Sequence, residues 1–340
     1  MSAAVRPVMP PGGHAVRRLR SRVTDSVPAQ FFLLVLALSV PFWLLGAAFA
    51  GRSTGLPVNI PISAQMAVCP LVAALILLHR DGRVHAVLAA FRRAVDPRGV
   101  APQWHLVTFL LMPAVMALSY GVMRLSGEDL PPPAIPWTAL PVLFAVFLVA
   151  ALGEELGWMG YVYGPLAEGR SALRASLLLG VVWAGWHVVP LLQAGHGSSW
   201  IAWQCVGTVA RRVLTVWLYL NAGQNVFAAV LLHTMDNVSV FAFPVYGSYY
   251  DPTVTGLLVV AAAVVITAVW TGRTLSDNRL GRAAPNSPAA PDSPAAPDSP
   301  AEPAGPRRRG SPPTVRPGSE ERWRRPAGGP RSRPDPAPPT

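Results

Sequence analysis

Leu152-Gly153-Glu154-Glu155-Leu156-Gly157-Trp158-Met159-Gly160-Tyr161 places two adjacent carboxylates at the end of an apolar run over residues 137–152. A charge at bilayer depth costs about 2.5–3.5 kcal/mol on insertion scales, so a charge kept there has a purpose by default. Two later apolar runs offer partners. One carries His187 in Trp183-Ala184-Gly185-Trp186-His187-Val188-Val189-Pro190, and the other carries His233 with Asn237 in Leu231-Leu232-His233-Thr234-Met235-Asp236-Asn237. The rest of the chain reads as the walls of this cluster.

Composition supports that reading. The 340 residues are 51% hydrophobic and only 13% charged, with a mean hydropathy of +0.36, which excludes an ordinary soluble domain. The formal net charge of +11 could point to nucleic acid. The arginines, however, sit in loops and tails and make no basic stripe with interleaved aromatics, so the basicity reads as topology and contact with an anionic lipid bilayer, with no nucleic-acid partner. Two cysteines, Cys69 and Cys205, both fall in apolar runs and make no disulfide framework.

Residues 1–28 are polar and carry Arg6, Arg17, Arg18, Arg20 and Arg22, which reads as a basic, disordered arm. The next run, 29–50, resembles the apolar core of a signal peptide with Ala48-Phe49-Ala50 as a cleavage site, but it is long enough to span and is read as an uncleaved anchor. Further apolar runs cover about 60–78, 104–123, 137–152, 173–192, 200–220, 225–243 and 253–270, giving about eight spans within a bundle at 29–272. Arginine is concentrated between the second and third spans, which puts the amino terminus in the cytoplasm; an even number of spans returns the carboxyl terminus to the same side. Pro70, Pro113 and Pro141 each predict a kink. Arg211 and Arg212 interrupt the sixth run near its centre, as in a bent helix or one that faces a wet cavity. Residues 273–340 repeat Ser-Pro-Ala-Ala-Pro-Asp and then turn Arg-rich, the composition of a disordered tail.

Adjacent helical carboxylates point about 100 degrees apart, so only one of Glu154 and Glu155 faces a shared site and the other needs a partner. Trp183 and His187 are four apart, as are His233 and Asn237, and each pair therefore shares a helical face. Asp236 sits about one position around from that face. Taken singly, each element is more often structural than catalytic; their co-occurrence carries the case. A carboxylate and imidazoles can hold a divalent metal and polarise a water, or act without metal as base and hydrogen-bond donors, while Asn and His suit an oxyanion. The soluble zinc-protease pattern His-Glu-x-x-His is not present.

The ordered combination resembles the CAAX-protease and bacteriocin-processing (CPBP) family of intramembrane endopeptidases, which includes the type II CAAX prenyl endopeptidases. Its Glu-Glu-x-x-x-Arg motif looks like Glu154 to Met159, its aromatic-x-x-x-His motif matches Trp183 to His187, and its His-x-x-x-Asn motif matches His233 to Asn237. The likeness covers 139–240. It implies that Glu154 and His187 activate the hydrolytic water and that His233 and Asn237 stabilise the oxyanion. Some descriptions of the family instead make the glutamate and histidines metal ligands, here Glu154, His187 and His233, with zinc as the expected divalent ion.

The resemblance departs at one place. The family arginine is here Met159, so Glu155 lacks its partner one turn on. Arg211 or Arg212 is the expected substitute, because both sit at an otherwise costly place. The reading is thus an all-α polytopic membrane protein of the cell membrane with both termini cytoplasmic. It is an intramembrane endopeptidase, a metal-dependent hydrolase, cutting a membrane-associated protein or peptide near the cytoplasmic face. Glu155, Trp183, Arg211 and Arg212 support the site. The rival reading is a non-catalytic CPBP-like scaffold or a proton-coupled transporter.

Overall fold

The computed structural model describes residues 13–49, 61–82, 84–134 and 137–276, all within the first of the two units of the chain, Met1–Ser287. The proposed tail at 273–340 lies outside the described residues from 277 onward, as does the arm before residue 13. Among the described residues every regular element is helical. The order is α1 (Gly13–Ala48), a 3-10 segment (Ile62–Val68), α2 (Cys69–Arg80), α3 (Val84–Ala94), α4 (Pro102–Leu125), α5 (Leu140–Gly157), a π-helical turn (Trp158–Val162), α6 (Tyr163–Ala167), α7 (Ala172–Gln193), α8 (Ser198–Asn221), α9 (Val226–Ala242) and α10 (Pro252–Trp270). Helix α1 begins at Gly13, inside the stretch read as a disordered arm.

Six helical stretches are long and apolar enough to cross a membrane: Ser26–Ala48, Ile62–Arg80, Pro102–Leu125, Leu140–Ala167, Ala172–Gln193 and Pro252–Trp270. These six are confirmed by length and composition among the described residues, and the expected count of about eight is not. The two that fall short are α8, which carries Arg211 and Arg212, and α9, which has only 17 residues. Both are lined by neighbours. Helix α7 packs along α8, α10 along α8, and α4 and α5 along α9, and the stretch from Ala210 to Leu218 is buried. The helices outside them show the opposite pattern. Leu33 of α1, Val149 of α5 and Val264 of α10 are 67%, 69% and 61% exposed, the outward apolar surface that lipid rather than water accepts.

Proline behaves differently from expectation at two of three positions. Pro70 and Pro141 stand in the first turns of α2 and α5, where the missing N–H is not needed and the fixed φ favours the helix; only Pro113 lies inside a helix. The anchor reading of α1 agrees with its packing. Phe31 and Val35 are buried, the Trp186 indole donates to Ser39 Oγ at 2.8 Å, and Gln193 Nε2 donates to the Trp43 carbonyl at 2.8 Å.

Small residues set the closest helix crossings, as in bundles that lack a hydrophobic drive between helices. A Cβ on Gly157 would stand 2.5 Å from both Pro70 Cβ and the Pro70 carbonyl oxygen, and one on Gly180 would stand 3.0 Å from Val209 Cα. Gly157→Ala must therefore push α2 off α5 beside the glutamate pair. It is expected to lower stability by about 1–3 kcal/mol, seen as an earlier thermal transition of the purified protein in detergent; an unchanged transition would show that this contact is slack.

Polar contacts between connections fix which helix ends share a side. The Asn225 side chain caps α9 and donates to the Asp96 carbonyl at 3.1 Å. Asn221 Nδ2 donates to the Leu275 carbonyl at 2.8 Å, and the amide of Ala172 donates to the Arg273 carbonyl at 3.0 Å. The 95–101 link is stiffened by the Asp96–Arg98 pair at 2.9 Å, and the Arg98 hydrogen bond holds the Asp96 carboxyl below its ordinary range. At the other end, the Ala134 amide donates to the Pro244 carbonyl at 3.1 Å.

Candidate active site

Glu154 comes from the last turn of α5, Trp183 and His187 from α7, Arg211 from α8, and His233, Asp236 and Asn237 from α9. All seven line a single cavity of about 550 Å³. The structure thus brings together Glu154, His187, His233 and Asn237, which lie far apart along the chain. Glu155 does not line the cavity; it lies behind it, fully buried. The divergence of adjacent carboxylates on one helix has separated the pair as expected.

Glu154 Oε2 accepts the Trp183 indole N–H at 2.7 Å and the Trp158 indole N–H at 3.3 Å. Two donors on one oxygen lock the carboxylate's orientation and leave Oε1 as the oxygen neither indole engages. Trp158 begins the π-helical turn, a local widening that recurs at functional sites. Its contact with Glu154 was legible as an i,i+4 spacing, yet the sequence reading gave Trp158 no role.

His187 Nδ1 lies 2.8 Å from the Trp183 carbonyl oxygen. A carbonyl oxygen cannot donate, so Nδ1 carries the hydrogen and Nε2 is the nitrogen left for the cavity. His233 follows the same logic: its Nδ1 lies 2.9 Å from Glu155 Oε1, and that contact also frees Nε2. Trp183 stands edge-on to both imidazoles, at 5.4 Å from His187 and 5.3 Å from His233, and so spaces them.

Between the two arginines the geometry decides. Arg212 Nη1 meets Glu155 Oε2 at 2.7 Å, with both side chains buried, and its guanidinium lies 4.0 Å from the Trp183 ring centroid. Arg212 therefore touches both halves of the site, Glu155 directly and Glu154 through the indole that Glu154 accepts. The guanidinium's Nε and Nη2 have no hydrogen-bond partner, and the indole face supplies cation–π compensation in their place. Met159 is buried and apolar and offers Glu155 nothing. Arg211 turns elsewhere: its Nε meets Asp236 Oδ1 at 3.0 Å and its Nη2 donates to the Tyr250 hydroxyl at 2.9 Å, which in turn donates to Gln204 Oε1 at 2.7 Å. Asp236, read from the sequence as less clearly inward, faces the cavity as this partner.

Residues 136–239 match the family described as Type II CAAX prenyl endopeptidase Rce1-like. That segment is similar to the protease domain of this family. Over 258 residues, 70% of this chain and 93% of the relative, the sequence is 24% identical to CAAX prenyl protease 2 of Methanococcus maripaludis, so likeness extends beyond the matched segment. The matched segment contains Glu154, His187, His233 and Asn237 as well as Glu155 and Arg212. By its apolar helices the chain is a multi-pass membrane protein, and the similarity supports a protease in general terms.

The donor chemistry of the site bears on the metal expectation. The two free Nε2 atoms and Glu154 are ligand types that zinc accepts. Among the described residues, however, no group of three or more His, Cys, Asp or Glu side chains is gathered closely enough to hold a metal ion. The side chains as placed do not fit a three-ligand metal.

Proposed function

We propose that the chain is an intramembrane endopeptidase in which Glu154 and His187 activate a water and His233 and Asn237 hold the oxyanion. The observation that carries this reading is the convergence of these four side chains on one cavity, with both imidazoles held at Nδ1 so that Nε2 is available. His187 Nε2 accepts one water hydrogen and orients the molecule. Glu154 takes the other proton as the oxygen attacks the scissile carbonyl. The carbonyl oxygen gains negative charge and accepts hydrogen bonds from the Asn237 amide and from His233, whose Nε2 donates when it carries a proton. Glu154 then returns its proton to the amide nitrogen, the C–N bond breaks, and a carboxyl and an amine product leave.

Behind this, Arg212 and Glu155 fix His233, and Trp183 fixes Glu154 and His187 at once. The substrate is a membrane-associated polypeptide, and the protein sits in the cell membrane with both termini in the cytoplasm. Prenylated CAAX peptides, for which the relative from Methanococcus maripaludis is named, belong to the same broad class of membrane-associated polypeptides.

The test is cleavage of a membrane-anchored peptide library by the full chain in lipid vesicles. Cleavage is expected, and chelation of divalent ions is expected to leave its rate unchanged, read from product formation after exhaustive metal removal. Proton-driven uptake of a solute without cleavage would overturn the reading in favour of a transporter.

A further inference from the structure

The cavity has one polar end and one open end, and the two lie at different heights in the bundle. Its polar end is made by Glu154, Trp183, Arg211 and His233. Its rim is made by Ala194 and His196 of the α7–α8 link, Trp200 in the first turn of α8, and Tyr246, Ser248 and Tyr250 of the α9–α10 link. From Trp183 to Ala194 along α7 is about 16 Å at 1.5 Å per residue. No residue of the links 81–101, 168–171 or 222–225, or of the stretch 271–276, lines it. The rim is also tied together: Tyr250 is hydrogen-bonded to Arg211 and Gln204 and stands edge-on to Trp200, which stacks flat on His196 at 3.6 Å.

The links that line the cavity and those that do not lie on opposite sides. Contacts of Asn225 with the 95–101 link, of Asn221 with Leu275 and of Ala172 with Arg273 gather one set of helix ends. The Ala134–Pro244 and Gln193–Trp43 contacts gather the other. Arginine is distributed unequally between them. Among the described residues, Arg80, Arg92, Arg93, Arg98, Arg170, Arg174 and Arg273 belong to the first side, together with the arginines in the part of α1 that precedes its apolar run, whereas the second has only Arg124. The second side also carries Glu128, Asp129 and Asp251. Short connections rich in arginine stay in the cytoplasm.

We infer that the catalytic cavity opens away from the cytoplasm, and that its substrate is the extracytoplasmic segment of a membrane-anchored polypeptide. This rests on the protease reading for what happens inside the cavity, but the orientation stands on the arginine distribution and the position of the rim alone. It replaces the expectation of cleavage near the cytoplasmic face.

Two measurements test it in the full chain, in a background with Cys69 and Cys205 changed to Ala. Ser248→Cys places a thiol at the exposed rim, and Glu168→Cys places one on the arginine-rich side; both parent residues are exposed. A membrane-impermeant maleimide added to intact cells is expected to label Ser248→Cys and to label Glu168→Cys only after permeabilisation. The reverse pattern overturns the inference. In vesicles of known orientation, an anchored peptide whose cleavable segment lies on the Ser248 side is expected to be cut, and cutting only from the Glu168 side likewise overturns it. Labelling as expected with no cleavage from either side would sink the protease reading while the orientation stands.

Discussion

Glu154→Gln is expected to reduce the cleavage rate by about 10²–10⁴-fold, the range lost when a positioned general base is removed, while leaving the thermal transition close to that of the parent. The substitution is isosteric, and its amide oxygen can still accept the Trp183 and Trp158 indole hydrogens that hold Oε2 at 2.7 and 3.3 Å. What it loses is the ability to take a proton from water and return it to the leaving nitrogen. The neighbouring change should behave in the opposite way. Glu155→Gln removes the charge that Arg212 and His233 share, so its first effect is on stability and on the placing of His233. Single-turnover cleavage together with thermal unfolding separates the two glutamates. A Glu154→Gln protein that keeps a tenth or more of parent activity would remove Glu154 from the role of base.

The second large effect belongs to Arg212→Met. Glu155 would then be a buried carboxylate without its cation, and breaking a buried pair by removing one partner costs about 3–5 kcal/mol. The swap also takes the guanidinium off the Trp183 ring, so both the indole that Glu154 accepts and the imidazole that Glu155 holds lose a fixed neighbour. Adding Met159→Arg restores the family spacing, with an arginine one turn after Glu155, and roughly conserves side-chain volume across the exchange. The double variant is expected to recover a substantial part of the lost stability and rate. If it is no more stable than Arg212→Met alone, Met159 cannot reach Glu155 from the widened turn at Trp158–Val162, and Arg212 is not simply a displaced motif arginine. Arg211→Met serves as the control: it breaks the Asp236 and Tyr250 contacts but leaves Glu155 paired.

Much of the site could be read from residue spacing. Four-residue intervals put Trp183 with His187 and His233 with Asn237, and the structure keeps each pair on the face that lines the cavity. The same rule would have found Trp158 on Glu154. Spacing could not assign the arginines, because Arg211 and Arg212 are adjacent and differ only in which neighbouring helix each one faces. Composition alone supports six of the expected spans for a related reason. Apolar runs in α8 and α9 look like spans in isolation, but the presence of charge in one and the shortness of the other make sense only once surrounding helices separate them from lipid. Pro70 and Pro141 misled because a proline within an apolar run marks a kink or a helix start, and only the position of the preceding turn distinguishes them.

By itself the sequence determined that this is a helical membrane protein and which polar side chains are candidates for chemistry, because hydropathy and the helical period act within one segment. Which glutamate meets the cavity and which arginine neutralises the other were decided by tertiary structure. Those outcomes depend on contacts between helices far apart in the chain, and a periodicity within one helix carries no information about its rotation against another.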